Sequence, residues 1–196
     1  MASAPESPKS KVKPWPRLRR GLVHDFTVVQ VREDVVADPR TNLEHGRVRL
    51  ECADWVNVIA VTKQDELVMV RQFRFGIDAP TLEVPGGVID PGEDPATAAA
   101  RELEEETGYR AGRLEPLGEV HPNPAFQSNR CFSYLALDCE RVSDGNPDDG
   151  EDIAVELYPR ADLPRLILEG HITHSLVVVA FFLERLRAEA KRQAAP

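Results

Sequence analysis

The sequence predicts an α+β fold: a β-sheet with helices packed on it, preceded by an N-terminal β extension. Two observations carry this. Short β-rich runs bounded by turn residues fill residues 22 to 84 and recur near 131 and 153, and two segments, 95 to 107 and 175 to 191, have helical character. At 196 residues the chain is one ordinary domain with appendages, long enough to bury a real core.

Residues 1–16 are rich in Pro, Ser, Lys and Ala with little to bury, and are expected to stay disordered. The β extension, 17–54, begins with LVHDFTVVQVR, Leu22 to Arg32, read as a strand. After a turn at Asp38-Pro39 comes RVRLEC, where Val48, Leu50 and Cys52 alternate as in a half-buried strand. The main domain, 55–191, opens with WVNVIAVT (Trp55 to Thr62) and ELVMVRQF (Glu66 to Phe73), which read as a hairpin turning at Lys63-Gln64-Asp65. A short TLEV strand leads into the turn-rich PGGVIDPGEDP.

A helix follows this loop at once. Asp94 is a good N-cap, Pro95 suits the first helical position, Ala96 to Glu106 are nearly all helix formers, and Gly108 sits where a left-handed C-terminal cap belongs. Further strands are expected at Cys131 to Leu137 and Ile153 to Tyr158. In the last helix Leu176, Val179, Ala180, Leu183 and Leu186 fall at helical spacing, but its first half is apolar on nearly every face. Such a helix is buried deeply or packs on a partner.

Composition excludes several function classes. Lys plus Arg is 24 against 33 Asp plus Glu, a net charge of −9, so the chain lacks the basic footprint of a nucleic-acid or anionic-membrane binder. Any phosphate it handles is expected to be met through metal ions. The longest apolar run, Leu176 to Leu183, is far short of a membrane span. Three cysteines without CxxC spacing suggest neither disulfides nor a zinc knuckle, and no secretory signal is visible, so the expected location is the cytoplasm.

Chemistry concentrates in the first helix. Glu102, Glu105 and Glu106 stand at i, i+3 and i+4, so three carboxylates share one face and repel. The cluster suggests a compensating cation. Hard oxygen ligands with no His or Cys nearby favour Mg²⁺, with Mn²⁺ possible, over zinc. The bland alternative is a solvated acidic helix face.

The surrounding residues decide between them. GVIDPGEDPATAAARELEEETGY, Gly87 to Tyr109, fits G-x5-E-x7-R-E-U-x-E-E-x-G-U, where U is apolar, and so resembles the Nudix box. Only Tyr109, where aliphatic residues are commoner, departs mildly. The resemblance implies a Nudix α/β/α sandwich with a mixed β-sheet and attack of a metal-activated water on a diphosphate. It implies that Glu102, Glu105 and Glu106 hold the metal and that Arg101 orients them, with Glu93 as its partner through a bidentate ion pair. The Gly86-Gly87 pair is expected to let the backbone turn sharply and aim the Gly86 carbonyl at the metal, which a Cβ could obstruct.

Outside the box, VRQFR followed by TLEVPGG, and Pro124 fifteen residues beyond the box, resemble the branch of ADP-ribose pyrophosphatases and nucleoside diphosphate sugar hydrolases. That likeness runs from about residue 20 to 187. It nominates Arg74 for the diphosphate or sugar, the alternative being a sheet-edge arginine in solvent. Phe126 is a candidate to stack on a base, and Glu51 and Trp55 join it in the substrate-binding set, although packing is the commoner role for both aromatics on type alone. From the acidic loop Asp144 to Leu157 it implies a further carboxylate, as general base or extra metal ligand: Glu151 first, Asp149 and Asp152 as competitors. No histidine is assigned to catalysis. The resulting expectation is a Mg²⁺-dependent pyrophosphohydrolase acting on ADP-ribose, as a homodimer joined through the N-terminal strands or the last helix. The alternatives are hydrolysis of a GDP-mannose-like nucleotide sugar and a module that senses nucleotides without hydrolysis.

Overall fold

The computed structural model of the chain describes residues 12–146, 150 and 152–194, and divides into two compact units. The N-terminal unit, up to Cys52, also includes the segment Asn123–Ser128. It is a four-stranded antiparallel sheet of β1 (Arg17–Arg19), β2 (Val23–Phe26), β3 (Val29–Ala37) and β4 (Glu44–Glu51). β3 pairs with β4 from Gln30 to Ala37 along one edge, while β2 and β1 in turn pair with it on the other. The 123–128 segment bonds to the end of β4, where the Leu50 amide donates to the Phe126 carbonyl at 2.8 Å.

Three expectations are corrected in this unit. LVHDFTVVQVR is two strands, because the chain reverses at Thr27-Val28 and Phe26 pairs with Val29. The bend carries no Gly, Pro or Asn, so it left no turn signature in the sequence. Of the segment expected to stay disordered, the last residues make defined contacts: the Pro16 carbonyl accepts from the Ala37 amide at 3.0 Å, and the Trp15 ring lies 5.6 Å from that of His45, with the Arg47 guanidinium 5.1 Å above it. Ring contact and cation–π attraction thus anchor the end of a segment whose composition reads as tail. Alternation in β4 does not mark burial either, since Val48 is 54% exposed and Leu18, Leu22, Val23, Phe26 and Val28 are exposed with it.

Polar groups form the interior of this unit. The buried Arg32 donates to Asp34 at 3.0 Å and to Glu51 at 2.5 Å, and Arg17 adds a second cation to Asp34 at 3.1 Å. Removing either central member, Arg32 or Asp34, would disrupt a desolvated charge network, which is far costlier than losing a surface pair.

The second unit, Ala53–Pro122 with the chain from Asn129 onward, is built on a seven-stranded mixed sheet. Its strands are β5 (Trp55–Thr62), β6 (Glu66–Arg74), β7 (Ala79–Glu83), β8 (Tyr109–Arg110), β9 (Arg113–Val120), β10 (Cys131–Arg141) and β11 (Ile153–Pro159). β5 and β10 run parallel and every other pairing is antiparallel. Helix α1 (Pro95–Thr107) covers one face; α2 (Leu163–Leu168) and α3 (Ser175–Ala194) cover the other. Alternation along the strands feeds both cores. Val56, Val58, Ala60 and Val68 pack with Ala98, Ala99 and Leu103 of α1, while Ile59, Val61, Leu67 and Met69 pack with Leu166, Val177 and Phe181. On α3, Leu176, Val177, Ala180 and Phe181 are buried, yet Phe182 and Leu186 remain exposed.

Candidate active site

Helix α1 starts and stops where its ends are satisfied. The Asp94 carboxylate accepts from the amides of Ala96 at 3.0 Å and Thr97 at 3.3 Å, and Gly108, at φ 73°, closes the helix by donating to the Glu104 carbonyl. With Ala98, Ala99 and Leu103 against the sheet, the helical period turns Arg101 and Glu105 away from the core. Glu106 is an exception, a carboxylate only 4% exposed, and its Oε2 accepts from the Gly86 amide at 2.9 Å.

Arg101 is the hub. Its Nε and Nη2 grip both oxygens of Glu93 at 3.0 and 2.9 Å, forming the expected bidentate pair. Nη1 reaches Glu102 and Glu105, each at 2.9 Å, and Nη2 also reaches the Val88 carbonyl at 3.1 Å. One guanidinium therefore ties the loop, through Glu93 and Val88, to two helix carboxylates, with the charge-assisted bonds that a planar fork makes best. The Glu93 hydrogen bonds hold the Arg101 guanidinium above its usual pKa, and Arg101 in turn holds the Glu93 carboxyl below the usual carboxylate range.

The two glycines serve close approach. A Cβ on Gly86 would lie 2.1 Å from the Val56 carbonyl oxygen, and one on Gly87 would lie 2.6 Å from the Glu102 carboxylate. Neither takes a left-handed φ, so the sharp turn expected of them is corrected, while the room that a Cβ would take is what they supply. The Pro85 and Gly87 carbonyls accept from Val58 and Val56 at 2.8 and 2.9 Å, lacing the loop to β5.

Glu102, Glu105 and Glu106 share a helix face but differ in setting. Glu105 is half-buried, whereas Glu102 and Glu106 both come against the Gly86-Gly87 backbone. Among the described residues no three Asp, Glu, His or Cys side chains form a ready metal-holding group. The donor set nonetheless fits an oxygen-seeking divalent cation. Mg²⁺ typically takes only one or two protein carboxylates and completes its shell with water and substrate phosphate, and two carboxylates beside an unobstructed backbone are what this loop and helix present.

Arg74 is neither free in solvent nor on the bare sheet edge. Its Nε and Nη2 each donate at 2.8 Å to Glu83, a carboxylate 3% exposed that also accepts from the Thr81 hydroxyl. Burial pushes the Glu83 carboxyl up, but the Arg74 fork and Thr81 outweigh it and hold it below the usual range. Sequence reasoning missed Glu83. The only signal was an acid alternating with Leu82 and Val84, which reads as an outward-facing residue of a half-buried strand.

Trp55 bridges by backbone to Val88, next to Ile89, whose amide donates to the Asp54 carbonyl at 2.9 Å, so it borders the start of the box loop. The Asp54 carboxylate also binds the amide and guanidinium of Arg130, a pairing that the sequence did not suggest. Glu51 and Phe126 belong to the N-terminal unit, Glu51 paired with Arg32 and Phe126 41% exposed. Asp149 and Glu151 lie outside the described residues; Asp152 is exposed.

A model of the NUDIX domain matches residues 53–180. The chain is 40% identical over 81 residues to an ADP-ribose pyrophosphatase of Bacillus subtilis (strain 168), a match covering 41% of this chain and 44% of that protein, so it spans less than half of that relative. It is 35% identical over 153 residues to an ADP-sugar pyrophosphatase of Mus musculus, covering 71% of this chain and 70% of that one. A crystal structure of ADP compounds hydrolase superposes with a TM-score of 0.81, covering 93% of this chain and 98% of that chain at 23% identity, which is a likeness of fold.

Proposed function

The chain belongs to the Nudix hydrolase family, and from that premise we propose that it is a Mg²⁺-dependent pyrophosphohydrolase of nucleoside diphosphate sugars, with ADP-ribose cleaved to AMP and ribose 5-phosphate. The observation that carries the proposal is the network around Arg101: loop and helix are locked together with two carboxylates brought to the Gly86-Gly87 backbone. ADP-ribose is favoured because relatives that match this chain bear the names of ADP-ribose and ADP-sugar pyrophosphatases.

In this reading Glu102, Glu105 and Glu106, with the Gly86 backbone, hold the cation, for which Mn²⁺ can substitute. A bound divalent cation neutralises diphosphate oxygens and lowers the pKa of a coordinated water. Arg101 keeps the glutamates oriented through its grip on Glu93. Glu151, or Asp149 in its place, takes the proton of the attacking water. Arg74 contacts the diphosphate or sugar, and Glu51, Trp55 and Phe126 serve the nucleoside.

The chain is further proposed to act in the cytoplasm as a homodimer joined through its N-terminal sheet. Leu18, Leu22, Val23, Phe26, Val28 and Val48 are all exposed there, more apolar surface on four strands than solvent contact explains. Among the described residues no helix is long and apolar enough to cross a membrane.

The deciding experiment incubates the purified protein and Mg²⁺ with ADP-ribose, GDP-mannose, UDP-glucose and dinucleoside polyphosphates. ADP-ribose is expected to show the highest kcat/KM, with AMP appearing in equal amount to ribose 5-phosphate. Failure to cleave it while another nucleotide sugar turns over would overturn the substrate assignment. Sedimentation at micromolar protein tests the dimer, and a monomer would refute it.

A further inference from the structure

We propose that Glu83 is a positioning residue of the substrate site, one that aims Arg74 at the diphosphate. This rests on the reading above that Arg74 meets the substrate there.

The argument starts from strand register. β6 and β7 form a hairpin in which Val70 lies opposite Glu83, Gln72 opposite Thr81 and Arg74 opposite Ala79. Val68 packs in the core beneath α1, and strand alternation carries Val70, Gln72 and Arg74 along the same face. Arg74, Thr81 and Glu83 are therefore on the sheet face that bears the helix of Arg101 and Glu102. The other arginine of the VRQFR run takes the opposite face: Arg71 follows Leu67 and Met69, which pack under α2 and α3, and pairs with Glu156 at 2.6 Å. Each arginine is held by a carboxylate, but only Arg74 shares a face with the carboxylate helix. β7 then runs through Val84 and Pro85 into Gly86, whose amide binds Glu106. Glu83 is thus three residues from the loop that meets two of the proposed ligands.

Energetics leave Glu83 a task beyond stability. A carboxylate at 3% exposure has lost its hydration, and much of its partners' attraction goes to offsetting that loss. What the pair does provide is direction. Two donors at 2.8 Å to the two oxygens of one carboxylate fix the guanidinium plane, and the Thr81 hydroxyl fixes the carboxylate in its turn. The Arg74 side chain remains 42% exposed against 5% for that of Glu83, so the inner member orients and the outer one can reach a ligand. An arginine with its torsions already set loses less conformational freedom when it grips a phosphate oxygen.

The test is a mutant cycle on KM for ADP-ribose at saturating Mg²⁺, with thermal melts recorded alongside. Arg74→Gln examines the underlying reading and should raise KM about tenfold or more. Glu83→Gln keeps volume but turns an amide N–H toward the guanidinium, and should raise KM about as much while kcat changes far less. Thr81→Val, nearly isosteric, is the milder second variant should Glu83→Gln fold poorly, with an expected KM rise of about threefold. The discriminating readout is the double variant: acting through Arg74, Glu83→Gln should add almost nothing in the Arg74→Gln background, whereas a general structural role would multiply the two effects. Wild-type KM in Arg74→Gln would overturn the substrate reading and the proposal with it. A raised KM in Arg74→Gln with unchanged KM in Glu83→Gln and Thr81→Val, or multiplicative effects in the double variant, would leave that reading standing and overturn the role of Glu83.

Discussion

Adding one methyl group to either glycine of the Gly86-Gly87 pair should produce opposite kinds of damage. In Gly86→Ala the new Cβ meets backbone, 2.1 Å from the Val56 oxygen and 3.1 Å from the Asn57 Cα, where ordinary contact begins near 3.4 Å. The loop must retreat by more than an ångström, and the two hydrogen bonds flanking the clash, Val56 to Gly87 and Val58 to Pro85, stretch or break. At about 1 kcal/mol per bond plus about 1–3 kcal/mol for overpacking, the loss is about 3–5 kcal/mol. For a chain of this size that is a fall in Tm of about 6 to 20 °C. In Gly87→Ala the Cβ meets only the end of a flexible side chain, the Glu102 carboxylate, which can swing aside at the cost of its bond to Arg101. That pair is partly buried and Arg101 keeps its other partners, so stability should drop by about 1.5 kcal/mol, the low end for a bond between charged groups. Mg²⁺ affinity should nevertheless weaken by at least about tenfold, because a ligand has been moved. Calorimetric melts and metal titration separate the two outcomes. A Gly86→Ala protein melting within about 2 °C of wild type, or a Gly87→Ala protein that binds Mg²⁺ normally, would refute the steric reasoning.

Three other expectations follow from the site. Glu105→Gln should cut turnover by several orders of magnitude with a nearly unchanged melting temperature, because this half-buried side chain keeps its volume and still accepts a bond from Arg101; near-normal turnover at millimolar Mg²⁺ would remove it from the metal site. Glu151→Gln should lower kcat about a hundredfold or more and leave KM nearly unchanged, and if it does not while Asp149→Asn does, the base is Asp149. For Arg74→Ala the pH dependence has a definite sign. In the wild type the depressed Glu83 carboxyl stabilises the fold fully above its ordinary value of 4.5, and that contribution is lost as pH falls through the folded pKa. Without Arg74, burial pushes the same carboxyl upward, so the variant is penalised at neutral pH and relieved by acid. The Tm gap between the two proteins should therefore shrink from pH 7 toward pH 4, and a gap independent of pH would exclude Glu83 as its origin.

Local signals made much of the fold legible before any coordinates. Asp94, Pro95 and Gly108 define α1, because caps are short-range chemistry written in single residues. β5 and β6 were plain from their β-branched runs. β9 was invisible: RLEPLGEV contains Pro and Gly and does not alternate, and it survives as a strand because it lies beside β10, whose register shifts at Ser133/Tyr134 opposite Pro116. The site divides the same way. Residues joined by one helix period or one loop, such as Arg101 with Glu93, could be paired from spacing. The Arg74–Glu83 and Arg130–Asp54 pairs depend on hairpin register and on a parallel strand pairing, which sequence distance does not encode.

The guanidinium of Arg101 also bears on how the protein comes into being. Small zinc domains collapse when their ion is withdrawn, because the ion is what reconciles their ligands. Here an internal cation already offsets the repulsion between Glu102 and Glu105, and Glu106 rests on a backbone amide. On the proposed reading of the site, the chain would therefore fold without the divalent cation and take it up afterwards. Starvation for the metal or exposure to a chelator would silence such a protein without sending it to the degradation machinery, and restoring the ion would return it to work without new synthesis.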